Sequence, residues 1–366
     1  MSENDSAVET VDAPPPAAAG VAGSHGGPAK PGSVFSRLSG GSMTRSIGLV
    51  IALLGLVLIG FLTAGDRFVS VGNLLVILRL ASVIGVISIG MTFVITGGGI
   101  DLSVGSVMGL STVVATLSWV QAFAKDSHWI VMVLVALLVG VAAGFINGFV
   151  VAYGGVVAFI ATMAMLVGAR GLAELLANRT TQIVNVNGFK AVFAGSLLGI
   201  PVLIWIFALV VAGGWFLLNR TTFGRRTVAI GGNVDASRLA GINVKRHTMY
   251  LYALTGLTAG IAGVMMLGRT TAGTSTHGTL IELDAIAAVV VGGTLLVGGR
   301  GSIMGTVLGV LIFSTLSNVF TQNNMSTSVQ AIAKGAIIVG AVMLQQRFAN
   351  RPTKKAVPPA PAPAGA

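Results

Sequence analysis

The chain has 366 residues, 54% hydrophobic and 9% charged, with a formal net charge of +11 and no cysteine; its mean hydropathy is +0.90. That balance excludes an ordinary soluble protein, and the missing cysteines exclude disulfides, thiolate chemistry and cysteine-based metal sites. Nucleic acid is not the implied partner either, because the basic residues are spread over short loops and not gathered on a patch with interleaved aromatics.

Residues 1–45 are rich in Ala, Pro, Gly and Ser, have no apolar run and read as a disordered cytoplasmic leader. The run 47–64 is too long for the core of a signal peptide and lacks a clear cleavage site, so it reads as a first membrane helix. Crossing a hydrocarbon core of about 30 Å takes about 20 apolar residues. Hydropathy places ten such segments, at 47–64, 74–96, 102–120, 130–151, 155–172, 198–218, 247–268, 283–297, 302–320 and 328–345. The expected fold class is an all-α polytopic membrane protein of about ten transmembrane helices, with residues 46–346 as one membrane domain and 347–366 as a disordered cytoplasmic tail. Of the 22 Lys and Arg, fourteen fall on the side of the termini, six on the opposite side, and Arg79 and Lys334 inside spans. The positive-inside rule then gives N-in and C-in.

Between the second and third spans lies VITGGGIDLSVGSVMGL, residues 94–110. Gly97, Gly98 and Gly99 each weaken a helix by up to about 1 kcal/mol relative to Ala, and Asp101 adds a carboxylate that is costly at membrane depth. Two readings are open: a tight cytoplasmic hairpin with Asp101 capping the next helix, or a broken helix lining a translocation path. Asp101, Arg79 and Lys334 are the ionisable groups this reading leaves within the spans. A string Gly105-Ser106-Val107-Met108-Gly109 recurs as Gly301-Ser302-Ile303-Met304-Gly305, each preceded by a glycine pair, which raises an internal duplication beside chance similarity of glycine-rich helices. The polar and apolar mixture of 173–200 reads as an outer loop long enough to gate or dock.

The one sizeable cytoplasmic loop, 220–246, carries the signals of a short helix. Asn233 can cap it, Asp235 falls in its first turn, and Gly241 can supply a left-handed end; the alternative is a mere connector. No GxxxxGK[ST] phosphate loop occurs, nor HExxH or GxSxG, and the four histidines are scattered. The expectation is therefore no enzyme activity, no cofactor and no metal site in this chain.

Three stretches taken together carry a family resemblance: residues 94–110, FGRRTVAIGGNVDASRLAGINVKR at 223–246, and AIAAVVVGGTLLVGGRGSIMGTVLGV at 285–310. They resemble the membrane permease subunit of bacterial ABC importers for monosaccharides, the ribose, xylose and galactose uptake type. The resemblance implies a multi-pass permease of the bacterial inner membrane, translocating a monosaccharide handed over by an extracytoplasmic binding protein. It also implies a separate cytoplasmic ABC ATPase and a second permease copy, as homodimer or heterodimer. It assigns ATPase coupling to Gly224, Arg225, Asn233, Asp235, Arg238, Leu239, Gly241 and Lys245. A path or gate falls on Gly97, Gly98, Gly99, Asp101, Ser103, Gly105, Ser106, Gly292, Gly293, Gly301 and Ser302. One departure is the stretch Gly155-Val156-Val157-Ala158 entering the fifth span, where similar permeases commonly show proline. The alternatives are an ion-coupled secondary sugar carrier, or uptake of another polyol or a furanosyl signalling molecule.

Overall fold

In this computed structural model the described residues are 41–349. The leader and the end of the tail, 1–40 and 350–366, lie outside them. Contacts separate residues 1–43 from a unit running from Thr44 onward; of the first, only the opening turn of α1 is described.

Helix α1 (Gly41–Ala64) is followed by the single turn α2 (Asp66–Val69) and by α3 (Val71–Thr96). Helix α4 (Val104–Ala115) is short, and α5 (Ser118–Asp126) continues it after a 58° bend. Helices α6 (Ile130–Ala152) and α7 (Ala158–Leu176) lead to an irregular cap made of β1 (Gln182–Ile183), α8 (Asn187–Phe193), β2 (Ser196–Leu197) and β3 (Ile200–Pro201). Then come α9 (Val202–Arg220), α10 (Thr222–Gly232), α11 (Val234–Leu239), α12 (Val244–Thr270), β4 (Ala272–Gly273), α13 (Ile281–Val291), α14 (Ile303–Gln322) and α15 (Thr327–Ala349). β2 pairs with β3, and β1 pairs antiparallel with β4, Gln182 opposite Gly273, which ties the cap to the end of α12.

Seven helices of the described residues are long and apolar enough to cross a membrane, α1, α3, α6, α7, α9, α12 and α14, or eight if α4 and α5 count as one bent span. The apolar stretch 283–297 does not form a full spanning helix: its helix α13 ends at Val291, where two glycines turn the chain. Length of apolar run is what hydropathy measures, and an apolar turn is invisible to it.

Burial sorts the helices. About 61% of the most apolar window of α3, 72% of that of α12 and 67% of that of α14 is buried by protein, against 6% for α1. α3 is therefore the hub, with α12 on one side and α14 on another. Its antiparallel contact with α14 is pinned at both ends by polar pairs: Thr92 and Thr306 hydroxyls at 2.8 Å, and a mutual amide exchange in which Asn73 donates to Asn318 at 3.0 Å and Asn318 donates back at 2.8 Å. In an apolar surround each such group must find an internal partner. α6 meets α12 along a seam of small residues: a Cβ on Gly140 or Gly144 would strike backbone of Gly256 or Tyr252. Such seams let two helices approach closely and gain dispersion contacts where no hydrophobic effect drives them together.

Candidate functional site

Two helix ends share one backbone design. At the end of α3, Gly98 N–H donates to the Ile95 carbonyl and Gly99 N–H to the Val94 carbonyl, both at 2.9 Å. At the end of α13, Gly293 N–H donates to Val290 at 2.9 Å and Thr294 N–H to Val289 at 3.2 Å. Gly98 and Gly293 have φ of +84° and +93°. This is the Schellman arrangement, a left-handed residue folding the chain back over the last turn, and glycine takes that conformation without the steric penalty a Cβ brings. The correspondence is Gly97-Gly98 with Gly292-Gly293. The repeated strings sit out of that register, since Ser106 lies inside the first turn of α4 while Ser302 is the N-cap of α14, accepting from Gly305 N–H at 3.0 Å.

The two loops meet each other and the end of α10. Gly299 N–H donates to the Thr96 carbonyl at 2.8 Å. Gly231, at the end of α10, is wedged between them: a Cβ there would collide with Thr96 O and Gly299 N. One on Gly298 would reach Gly231 O and Gly98 Cα at 2.9 Å, and one on Gly301 would strike the Thr96 hydroxyl. Gly97–Gly99, Gly231-Gly232 and Gly298–Gly301 thus form a single crowded backbone junction. Gly231, Gly232, Gly298 and Gly299 escaped the sequence reading, although each pair is visible as adjacent glycines flanking a predicted helix or span.

Asp101 is 1% exposed. Its Oδ1 accepts from Ser103 N–H at 2.9 Å and from the Ser103 hydroxyl at 2.6 Å, and Asn147 of α6 donates to that hydroxyl at 2.8 Å. Burial pushes the carboxyl above its usual value, while the two Ser103 bonds pull it down. Asp101 is thus a local turn anchor, and it caps the loop before α4, not the helix itself, whose N-cap Ser103 makes no side-chain cap bond. Tyr252 O–H donates to the Ile100 carbonyl at 3.3 Å and fastens the loop to α12.

In the loop 220–246, Asn233 Oδ1 accepts from Ala236 N–H at 2.9 Å, and Gly241 takes φ +78° after α11. Asp235 and Arg238 pair at 2.9 Å in solvent, and Leu239 is 91% exposed. α10 was not foreseen: its residues lack an apolar run, and it is held by the Thr221 cap, accepting from Gly224 N–H at 3.3 Å, and by Thr227, whose hydroxyl lies 2.8 Å from His247 Nε2 of α12. Gly224 is buried against the Leu218 backbone, and Lys245 lies 5.8 Å from the Tyr153 ring centre. Gly224 serves packing within the chain, whereas Arg225, Asn233, Asp235, Arg238, Leu239, Gly241 and Lys245 face solvent.

Between α12 and α13 the chain runs antiparallel along α4 as the two-residue β4 followed by successive tight turns, with His277 N–H donating to the Thr274 carbonyl and Thr279 N–H to the Thr276 carbonyl. A Cβ on Gly273 would meet Thr112 O at 2.6 Å, one on Gly109 would meet His277 O at 2.7 Å, and one on Gly105 would strike Gly278 O. The first turns of α4 and α13 consequently abut. Arg170 of α7 reaches in and donates through Nη1 to the carbonyls of Ser275 and His277, the latter at 2.7 Å. Glu282, in the first turn of α13, is 9% exposed. Of the ionisable groups expected within the spans, Asp101 is buried and Lys334 pairs with Asp284 at 2.9 Å, whereas Arg79 is exposed, and that expectation left out the half-buried Arg170 and the buried Glu282. A segment of turns packed against a helix has no hydropathy signature. An open cavity of about 580 Å³ lies beyond the far end of α4, lined by residues that include Thr116, Gln121, Lys125, Asp126, Asn178 and Gln182.

Residues 73–344 match the family described as branched-chain amino acid transport system / permease component. Among curated proteins, the ribose import permease protein RbsC of Haemophilus influenzae is 41% identical over 297 residues, covering 80% of this chain and 90% of that one. RbsC of Escherichia coli is 40% identical over 302 residues, 81% and 92% of the two chains. The xylose transport system permease protein XylH of Escherichia coli is 32% identical over 369 residues, 83% and 92%. No solved structure matches.

Proposed function

Because the chain belongs to the branched-chain amino acid transport system / permease component family, we infer its function from that membership and from the ribose and xylose import permeases it matches along most of its length. It is a sugar-importing ABC permease subunit, a multi-pass protein of the inner membrane. The observation that carries the reading is the similarity of those relatives over about four-fifths of the chain.

Ten passes result if α4 with α5 counts as one, the turns of 274–280 with α13 as one, and α15 as the last. The basic residues then orient both termini and the α10–α11 loop to the cytoplasm. ATP is hydrolysed by a separate cytoplasmic subunit, since the chain contains no phosphate loop. That subunit docks on α11 through Leu239, Arg238 and Arg225, and its motion reaches the path through Gly231, which touches both glycine loops. An extracytoplasmic binding protein delivers the monosaccharide at the face of the β1–β3 cap, and a second permease copy completes the channel.

The test is uptake of a panel of labelled monosaccharides in cells lacking the chain, complemented with wild type or Leu239→Glu and supplied with the partner ATPase. Import of at least one pentose or hexose by wild type, lost in Leu239→Glu while the variant stays inserted, is the expected result. ATP-independent import would overturn it. Cysteine labelling checks orientation: Asn233→Cys is expected to react from the cytoplasm and Asn187→Cys from outside.

A further inference from the structure

Three buried side-chain atoms have no hydrogen-bond partner among the described residues, the hydroxyls of Ser111 and Ser314 and Glu282 Oε2. Two are neutral and mild in cost. The third is a carboxylate oxygen, the one polar atom of the three that water or an internal donor would ordinarily have to satisfy.

Its position is as informative as its lack of a partner. Oε2 rests against Gly105 in the first turn of α4, so close that a Cβ at 105 would collide with it. Helix first turns present N–H groups without intrahelical partners, and here the first turns of α4 and α13 abut beside the turns of 275–280. Discontinuous helices meeting beside unwound backbone are how membrane carriers build polar sites away from bulk water. One helical turn further along α4 stands Arg170, whose Nη1 would lie 3.0 Å from a Cβ on Gly109. Its Nη1 group is spent on the carbonyls of Ser275 and His277, while its Nε and Nη2 donors carry no bond among the described residues.

A sugar hydroxyl donates one hydrogen bond and accepts others. A carboxylate acceptor one helical turn along α4 from a guanidinium with free donors is therefore matched to a neutral polyol: one hydroxyl donates a hydrogen bond to Glu282, and it or its neighbour accepts from Arg170. We propose that Glu282 and Arg170 form a hydroxyl-recognition point for the monosaccharide within the translocation path, at the junction of α4, α13 and the turns of 274–280. This rests on the permease reading and adds to it a selectivity residue inside the membrane subunit, separate from any selection by the binding protein.

The test uses the full complex, permease with its ATPase and binding protein, in proteoliposomes, with the binding protein saturated by each sugar so that differences report translocation. The probes are D-ribose and 2-deoxy-D-ribose. Wild type is expected to move the parent sugar faster than the deoxy analogue, because a site built to bond a hydroxyl penalises its absence. Glu282→Gln is expected to slow the parent sugar by about tenfold, as a bond to a charged acceptor becomes one to a neutral amide oxygen, and to narrow the preference, with ATP hydrolysis stimulated as in wild type. Unchanged rate and preference in Glu282→Gln would overturn the assignment. Should that variant fail to assemble, Glu282→Asp decides: an altered preference supports the site, and an equal change for both sugars overturns it in favour of a purely structural carboxylate. If the wild-type complex moves no monosaccharide while hydrolysing ATP, the permease reading itself falls.

Discussion

The two helix breaks make an instructive pair. At 97–103 and 292–302 the chain executes the same left-handed turn with the same hydrogen-bond pattern, yet it re-enters the next helix by different chemistry. The first loop is anchored by a buried carboxylate, bonded to Ser103 and backed by Asn147 of another helix. The second uses a hydroxyl, Ser302, as an ordinary N-cap, and closes on itself through Leu295 N–H donating to the Arg300 carbonyl at 3.0 Å. The turn is set by glycine and is indifferent to its surroundings. Re-entry into the next helix is adapted to the neighbours, so the two loops carry one geometry with unequal polarity.

The comparison breaks most severely where both loops share a contact. Gly231→Ala is expected to have the largest effect, because its Cβ strikes backbone of both loops and neither is a flexible side chain that could yield. Overpacking of this kind costs about 1–3 kcal/mol, and sugar uptake is expected to fall by at least about tenfold with the ATPase still bound. Gly232→Ala is the matched control: its Cβ meets open space, and uptake should stay near wild type. Equal effects of the two would show that α10 does not bear on the two glycine loops.

Gly98→Leu tests the first turn alone. A left-handed non-glycine residue costs about 1–2 kcal/mol before its bulk is counted, so uptake and the melting temperature of the purified protein should both drop, by less than for Gly231→Ala. The second loop answers to Ser302→Ala, which removes an N-cap worth about 1 kcal/mol and should lower melting temperature with uptake largely kept. Asp101→Asn is expected to be the mildest. Asn keeps an oxygen to accept from Ser103 and removes a carboxyl that burial disfavours in its charged form, so stability should change by no more than about 1 kcal/mol. An ion-coupled carrier relying on Asp101 would show the reverse ranking, with transport abolished by Asn.

Legibility in the sequence tracked locality. Gly97–Gly99 as a helix break, Asn233 as a cap and Gly241 as a left-handed end were readable, because each acts on backbone within a few residues of itself. α10 was missed since its partners, Leu218 backbone and His247, come from other helices. The site around Glu282 was unreadable for a related reason: Arg170 and Glu282 are set one helical turn apart along α4 by the turns of 274–280 packed against it, and an apolar run says nothing about whether it is helix throughout. Hydropathy found where chain is apolar, and tertiary contacts decided where it is broken.

The bond from Gly299 N–H to the Thr96 carbonyl also has a bearing on how the protein is made. During synthesis α3 enters the bilayer roughly two hundred residues before its partner strand leaves the ribosome, a lag on the order of ten seconds or more at ordinary elongation rates. Over that interval the last carbonyl of α3 lacks the donor it has in the finished fold, and Gly231 arrives with only half of its socket present. The amino-terminal half is accordingly an unfinished intermediate, dependent on lipid headgroups, water or the insertion machinery until the chain is almost complete, and a nascent chain truncated before Gly298 is a natural substrate for membrane quality control.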